Sequence, residues 1–196
     1  LVGTQMLSKG HHFPNVTLAL VADGDLGLNI PDYRAAERTF QLLVQVSGRS
    51  GRGQIPGRVL IQTRDVDHYC WRFVAENDYA GFYEQEVAKR RRYGYPPFVK
   101  LGLVRLSCPA ENDQDAERIM ALAAKLMPVG SKFGARVLGP APAPLGLLRG
   151  RKRYQLMIKA GDWPSVRNVF ACVRRELAGG RSDIRASLDL DPVNMM

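Results

Sequence analysis

The sequence predicts an α/β piece followed by an α+β piece, and three observations carry that prediction. Short apolar runs at residues 17–22 and 58–63 flank a stretch with helical spacing, the pattern of strands buried on both faces around a crossover helix. From residue 98 onward the strands alternate apolar and polar side chains instead. Between the two, Gly94 and the pair Pro96-Pro97 punctuate a charged helical stretch.

The elements follow in order. Thr17, Leu18, Ala19, Leu20, Val21 and Ala22 form the first strand. Asp32 is placed to cap a helix beginning at Tyr33, with Ala36, Phe40, Leu43, Val44 and Ser47 recurring at helical spacing and Gly48 and Gly51 loosening its end. Gly57 introduces the second strand, 58–63. Residues 65–95 read as helical, with Tyr79, Phe82, Tyr83 and Val87 as one apolar stripe and basic residues 89–92 in the last turn, where cations offset the helix dipole. A strand over 98–106 comes next. Asp113 then caps a helix carrying Ile119, Leu122, Ala123 and Leu126 and stopped by Pro128. The short strand 136–138 runs into a rigid Pro/Ala loop, 140–144, and 153–159 is a further strand. Asp162 caps a helix that starts Trp163-Pro164 and buries Val166, Val169, Phe170, Val173 and Leu177. Gly179 and Gly180 end it, before a last strand over 184–190. The order β-α-β-β-α-β is that of a ferredoxin-like, split βαβ unit. The expected divisions are 1–63, a helical connector 64–97, and a C-terminal domain 98–196. The first residues read as a strand entering a turn, so a natural start upstream of Leu1 is expected.

Composition narrows the function classes. The 196 residues include 28 Lys and Arg against 19 Asp and Glu, a net charge of +9, which points to a polyanion such as nucleic acid. A basic protein that needs only solubility fits the same balance. No apolar run approaches the roughly 20 residues of a membrane span. The three cysteines, Cys70, Cys108 and Cys172, form no C-x-x-C pair, so neither a zinc site nor a disulfide framework is written here. Reduced core cysteines suit a cytoplasmic protein.

Two segments carry chemistry. Gln45, Gly48, Arg49, Gly51 and Arg52 have the form Q-x-x-G-R-x-G-R. Guanidinium groups held together at a loose helix end suit the charge that develops on a transferring γ-phosphoryl group; they also suit a simple solvated helix end. The second segment contains Gly3, Thr4, Lys9, Gly10, His11 and His12. Small and hydroxyl residues after a strand expose N–H groups that can position a nucleic-acid backbone. The adjacent histidines lack carboxylate or Cys partners and read as loop residues rather than metal ligands. Later, Arg149, Arg151, Lys152 and Arg153 form a basic turn that fits either phosphate contact or a solvated hairpin tip. The basic run 89–92 fits phosphate contact as well as its dipole role, and the flanking Tyr93 and Tyr95 read either as rings that stack on bases or as packing groups at a domain junction. Asp189 and Asp191 read either as a metal pair or as the polar face of a strand.

These two segments resemble motifs V and VI of superfamily 2 helicases. The run 3–52, with Asp32, Tyr33, Arg34, Ala35, Ala36, Glu37 and Arg38 inside it, resembles the primosomal protein N′ family. So do Tyr93, Gly94, Tyr95, Pro96, Pro97 and Phe98, the stretch 137–144, and the terminal 188–192. The resemblance implies the later half of a second RecA-like helicase lobe in 1–63, then the family's C-terminal domain. It implies the C-terminal part of an ATP-dependent 3′→5′ DNA helicase that recognises stalled forks and restarts replication through primosome assembly. Arg49 and Arg52 would then meet the γ-phosphate of ATP, which the parent protein would bind with Mg, Gln45 and Gly48 would belong to the same site, and Gly3, Thr4 and Lys9 would track the strand. Implied partners are forked or branched DNA, single-stranded DNA, primosome proteins and single-stranded DNA-binding protein, with no membrane. No G-x-x-x-x-G-K-[ST] loop, no D-E-x-H motif and no cysteine-rich zinc module occur in these residues. They would lie upstream, so the chain by itself is expected not to turn over ATP. The competing expectation is a non-catalytic nucleic-acid-binding module with a ferredoxin-like fold.

Overall fold

In the computed structural model, the described residues are 2–3, 16–48, 57–178 and 182–195. The chain divides into two compact units, Leu1–Ala88 and Lys89–Met196.

In the first unit, β1 (Leu18–Val21) and β2 (Arg58–Ile61) pair in parallel, with Leu18 opposite Arg58 and Val21 opposite Ile61. A short helix α1 (Asp25–Leu28) follows β1, and α2 (Ala35–Ser47) carries the crossover. The helix expected from Tyr33 starts two residues later. Asp32 accepts the Arg34 N–H at 2.9 Å and pairs with Arg38 at 3.0 Å, so it closes the turn before the helix rather than its first turn. The stretch expected to be helical holds two helices, α3 (Cys70–Glu76) and α4 (Tyr79–Tyr93), separated by Asn77 in the left-handed region. Phe40, Leu43, Cys70, Phe73, Val74 and Phe82 form one apolar cluster, with the Phe40 and Phe82 rings stacked at 4.2 Å. The expected stripe on α4 is narrower than its spacing suggested. Phe82 and Glu86 are buried, whereas Tyr79 and Tyr83 are 63% and 56% exposed. The Glu86 carboxylate is taken inside because it accepts the Tyr69 hydroxyl at 2.9 Å.

In the second unit the elements run β3 (Lys100–Pro109), α5 (Asp113–Lys132), β4 (Ala135–Leu148), β5 (Arg151–Ala160), α6 (Trp163–Leu177) and β6 (Arg185–Leu190). They form one antiparallel sheet in the order β4-β5-β3-β6. Alternation sends Val104, Leu106 and Cys108 of β3, and Leu156 and Ile158 of β5, to one face. There they meet Ile119, Leu122 and Leu126 of α5 and Val166, Val169 and Val173 of α6. Gly102 lies on the same face, where an added Cβ would sit 2.5 Å from a Val166 methyl. Burial pushes the Cys108 thiol pKa up.

Three local expectations change here. Asn112, not Asp113, caps α5, accepting the Asp115 N–H at 3.0 Å. Pro128 does not stop α5, which continues to Lys132. The turn beyond it is held because Gly130 lets the helix come against β4: an added Cβ would lie 2.8 Å from the Ala135 carbonyl oxygen and from a Val137 methyl. The Pro/Ala run is strand rather than loop. It lies in β4, an edge strand, where a proline need not donate to a neighbour, and the pairing slips between Leu138 and Ala141 and between Pro142 and Leu147. Asp162 caps α6 as expected, accepting the Ser165 N–H at 2.7 Å.

Candidate nucleic-acid interface

The basic turn is built by β-strand geometry. Arg149 and Gly150 join β4 to β5, both in the left-handed region at φ 50° and 70°, as a two-residue hairpin turn requires. The Gly150 carbonyl accepts the Ala110 N–H at 2.9 Å, tying the turn to the end of β3. Because Leu156 and Ile158 of β5 face the helices, Arg151, Arg153 and Gln155 face the other way. Register sets Arg153 opposite Ser107 on β3, and Ser107 opposite Arg185 on β6. The open face here holds a cleft of about 550 Å³ whose walls include Arg149, Arg151, Arg153 and Arg185, with Asp183 and Glu111 as the acidic members.

The arginines are not equivalent. Arg151 is 16% exposed and already engaged. It bonds Ser107 through Nε to the hydroxyl at 3.2 Å and through Nη2 to the carbonyl at 3.0 Å, and it pairs with Asp183 at 2.7 Å. The Arg151 hydrogen bond holds the Asp183 carboxyl below the usual range; burial opposes it, and the charges of Arg151 and Arg185 add to the lowering. Arg149 and Arg153 have no ion-pair partner among the described residues. Lys152 points to the opposite face and meets Asp113 at 2.5 Å, which lowers the Asp113 pKa and raises that of the amine. The four residues of the basic turn therefore divide, with two toward the cleft, one beneath it and one away.

Other expected positions fall elsewhere. Gln45 and Gly48 sit exposed at the end of α2, and Gly3 is exposed. Thr4, Lys9, Arg49 and Arg52, with His11 and His12, lie outside the described residues. Tyr95 takes the packing role, with the Lys159 ammonium 3.4 Å above its ring and also donating to the Tyr93 carbonyl at 3.0 Å. Arg91 lies over Phe98 at 4.8 Å. Asp189 pairs with Arg105 at 2.8 Å, and among the described residues no cluster of His, Cys, Asp or Glu could hold a metal ion. In the first unit, buried Asp25 accepts the Thr63 hydroxyl at 2.5 Å and the Arg64 N–H at 2.7 Å, bonds that lower its pKa and join the ends of both strands.

Sequence reasoning missed Arg185 and Ser107 as members of the cleft. The alternation of Arg185, Ser187 and Asp189 marks a polar strand face, but only the register shows which residues it lies beside.

Residues 91–193 match the family model described as the primosomal protein N C-terminal domain. Over its whole length the chain is 39% identical to the replication restart protein PriA of Bacillus subtilis (strain 168), covering 24% of that protein. It is 40% identical to the protein of the same name from Synechocystis sp., covering 23% of it. It is 37% identical to that of Treponema pallidum (strain Nichols), covering 29%. The chain thus spans about a quarter of the length of these relatives.

Proposed function

The chain belongs to the primosomal protein N C-terminal domain family, and on that premise we propose that it is the C-terminal part of an ATP-dependent 3′→5′ DNA helicase. In this reading the parent protein recognises stalled forks and restarts replication through primosome assembly in the cytoplasm. The observation that carries it is the similarity to replication restart proteins along all 196 residues, first unit included. Parallel strands joined through helices support reading 1–63 as part of a RecA-like lobe. The strand order of the second unit supports a ferredoxin-like C-terminal domain. Residues 64–97 would connect the two. Among the described residues no helix is long and apolar enough to cross a membrane.

The roles follow residue by residue. Gln45 and Gly48 are accessible at the helix end, which fits a nucleotide approaching there. Arg49 and Arg52 would stabilise charge on the γ-phosphoryl group, while the bound Mg ion would neutralise the phosphates. Gly3, Thr4 and Lys9 would follow the DNA strand, and the basic turn 149–153 would contact its backbone through Arg149 and Arg153. Zinc would belong to a module outside these residues. Primosome proteins and single-stranded DNA-binding protein are the proposed protein partners.

The test uses the full-length protein. Arg52→Ala should lower DNA-stimulated ATP turnover by about 10³-fold or more, with DNA affinity little changed. Normal turnover with weakened DNA binding would instead favour a non-catalytic nucleic-acid-binding role for these arginines.

A further inference from the structure

We infer that the open face beside the β4–β5 turn is a two-seat groove for consecutive phosphates of one nucleic-acid strand, held by Arg149, Arg153 and Arg185 with Ser107 between the seats. This rests on the reading that the second unit contacts DNA and specifies how. Beside the 550 Å³ cleft lies a second hollow of about 140 Å³, reaching Arg105 and Ser187. Ser107, Arg153 and Arg185 border both. Register places these three in one row across β5, β3 and β6. With neighbouring strands about 4.8 Å apart, the two arginines flank the row at roughly 10 Å between backbones. Long side chains can close on an anion from both sides across that gap. Arg105 lies two residues from Ser107, so the hollows follow each other along β3 at a spacing on the order of 7 Å.

The chemistry of the groove selects its ligand. Ser107 Oγ accepts from Arg151, which leaves its own proton free to donate outward. Asp183, the nearer carboxylate, is turned to Arg151 at 2.7 Å and to Arg185 at 3.6 Å. Glu111 is exposed at the rim. Four arginines against two carboxylates leave the larger cleft positive. Among the described residues no aromatic ring lines either hollow, so they offer no platform on which a base could stack. Repeated monoanions read by guanidinium and hydroxyl groups, without bases, describe a nucleic-acid backbone. Arg151 is a positioning residue, which holds Ser107 and Asp183 in place.

The experiment is a salt titration of oligonucleotide binding by the 196-residue chain, followed by fluorescence anisotropy. Oligothymidine and oligoadenosine of equal length serve as probes. Arg153→Ala/Arg185→Ala should weaken both probes equally, on the order of 10-fold or more, and reduce the slope of log K against log salt by roughly 1.4. Arg167→Ala/Arg174→Ala removes the same charge from exposed positions on α6 and should leave the slope unchanged. Arg153→Lys/Arg185→Lys keeps the charge and should keep most of the slope. An unchanged slope in the first variant, or an equal loss in the α6 variant, would overturn the groove while leaving DNA binding by the chain intact. A clear preference between the two probes, or competition by polyglutamate as strong as by oligothymidine, would overturn it too. Absence of binding by the unaltered chain at low salt would reject both the groove and the DNA-contact reading on which it rests.

Discussion

Arg151→Met separates holding the groove from touching the ligand. The wild-type guanidinium makes two bonds to Ser107, at 3.2 Å to its hydroxyl and 3.0 Å to its carbonyl, and one to the Asp183 carbonyl at 2.5 Å, as well as the pair with the Asp183 carboxylate. Methionine keeps much of the stem's packing and removes every donor. The ion pair contributes little, because the Asp183 side chain is 55% exposed and water screens it. The hydrogen bonds to Ser107 and to the Asp183 carbonyl dominate: a charged donor on a neutral acceptor, mostly out of water, contributes about 1.5–3 kcal/mol. In a unit of this size that corresponds to several degrees in Tm. The chain has two units, so the measurement must isolate the second. Urea unfolding followed by Trp163 fluorescence, in a Trp71→Phe background, does so, since Trp71 lies in the first unit and Trp163 in the second. The DNA salt slope should fall by clearly less than the 0.7–0.9 expected for one lost phosphate contact. An unchanged urea midpoint would refute the structural role of Arg151. A loss of about 0.7–0.9 from the slope would show that it is itself a ligand.

Three further outcomes follow from packing and charge. Gly130→Ala should destabilise the second unit by about 1–3 kcal/mol in the same assay, because the new methyl meets the Ala135 carbonyl oxygen as well as a movable Val137 side chain; a neutral result would show that α5 can retreat from β4. Lys159 is buried and its pKa is lowered, first by burial and then by the charge of Arg136. Between the folded value and the higher unfolded one, the unfolded chain binds more protons, so stability should rise with pH on the alkaline side, and Lys159→Met should remove that rise. Asp183 shifts the other way: its contribution is complete above the unfolded carboxylate pKa of about 4 and is lost as pH falls through the folded value. Asp183→Asn should therefore flatten the acid limb of a stability–pH profile, and an unaltered limb would contradict the pairing.

The sequence made legible what depends on local periodicity. Alternation in β3 and β5, helical spacing in α5 and α6, and the Asp162 cap all follow from side-chain direction and one hydrogen bond. Three of the misreadings share a cause, in that tertiary contact overruled a local rule. Pro128 ends an isolated helix, yet α5 persists because Gly130 lets its last turn seat against β4. Prolines 140, 142 and 144 break a central strand but are tolerated at a sheet edge. Tyr79 and Tyr83 fit an apolar stripe on α4, but the side chain actually taken in beside Phe82 is Glu86, because Tyr69 offers it a hydroxyl.

The same distinction explains why the basic turn was found and its working set was not. A run of cations is visible in one dimension, whereas the face each cation occupies is fixed by strand parity, and its neighbours by register. Parity sends Lys152 to the helix side and Arg151 and Arg153 to the open side. Register then adds Arg185, 32 positions beyond Arg153, because both lie opposite Ser107. Asp183 completes the division by engaging Arg151, which leaves Arg153 as the β5 arginine able to meet an anion. A one-residue slip of β5 would turn Lys152 into the groove and Arg153 out of it. The charge of the chain would be unchanged, but the groove would be lost, so phosphate binding here depends on sheet register as much as on the number of arginines.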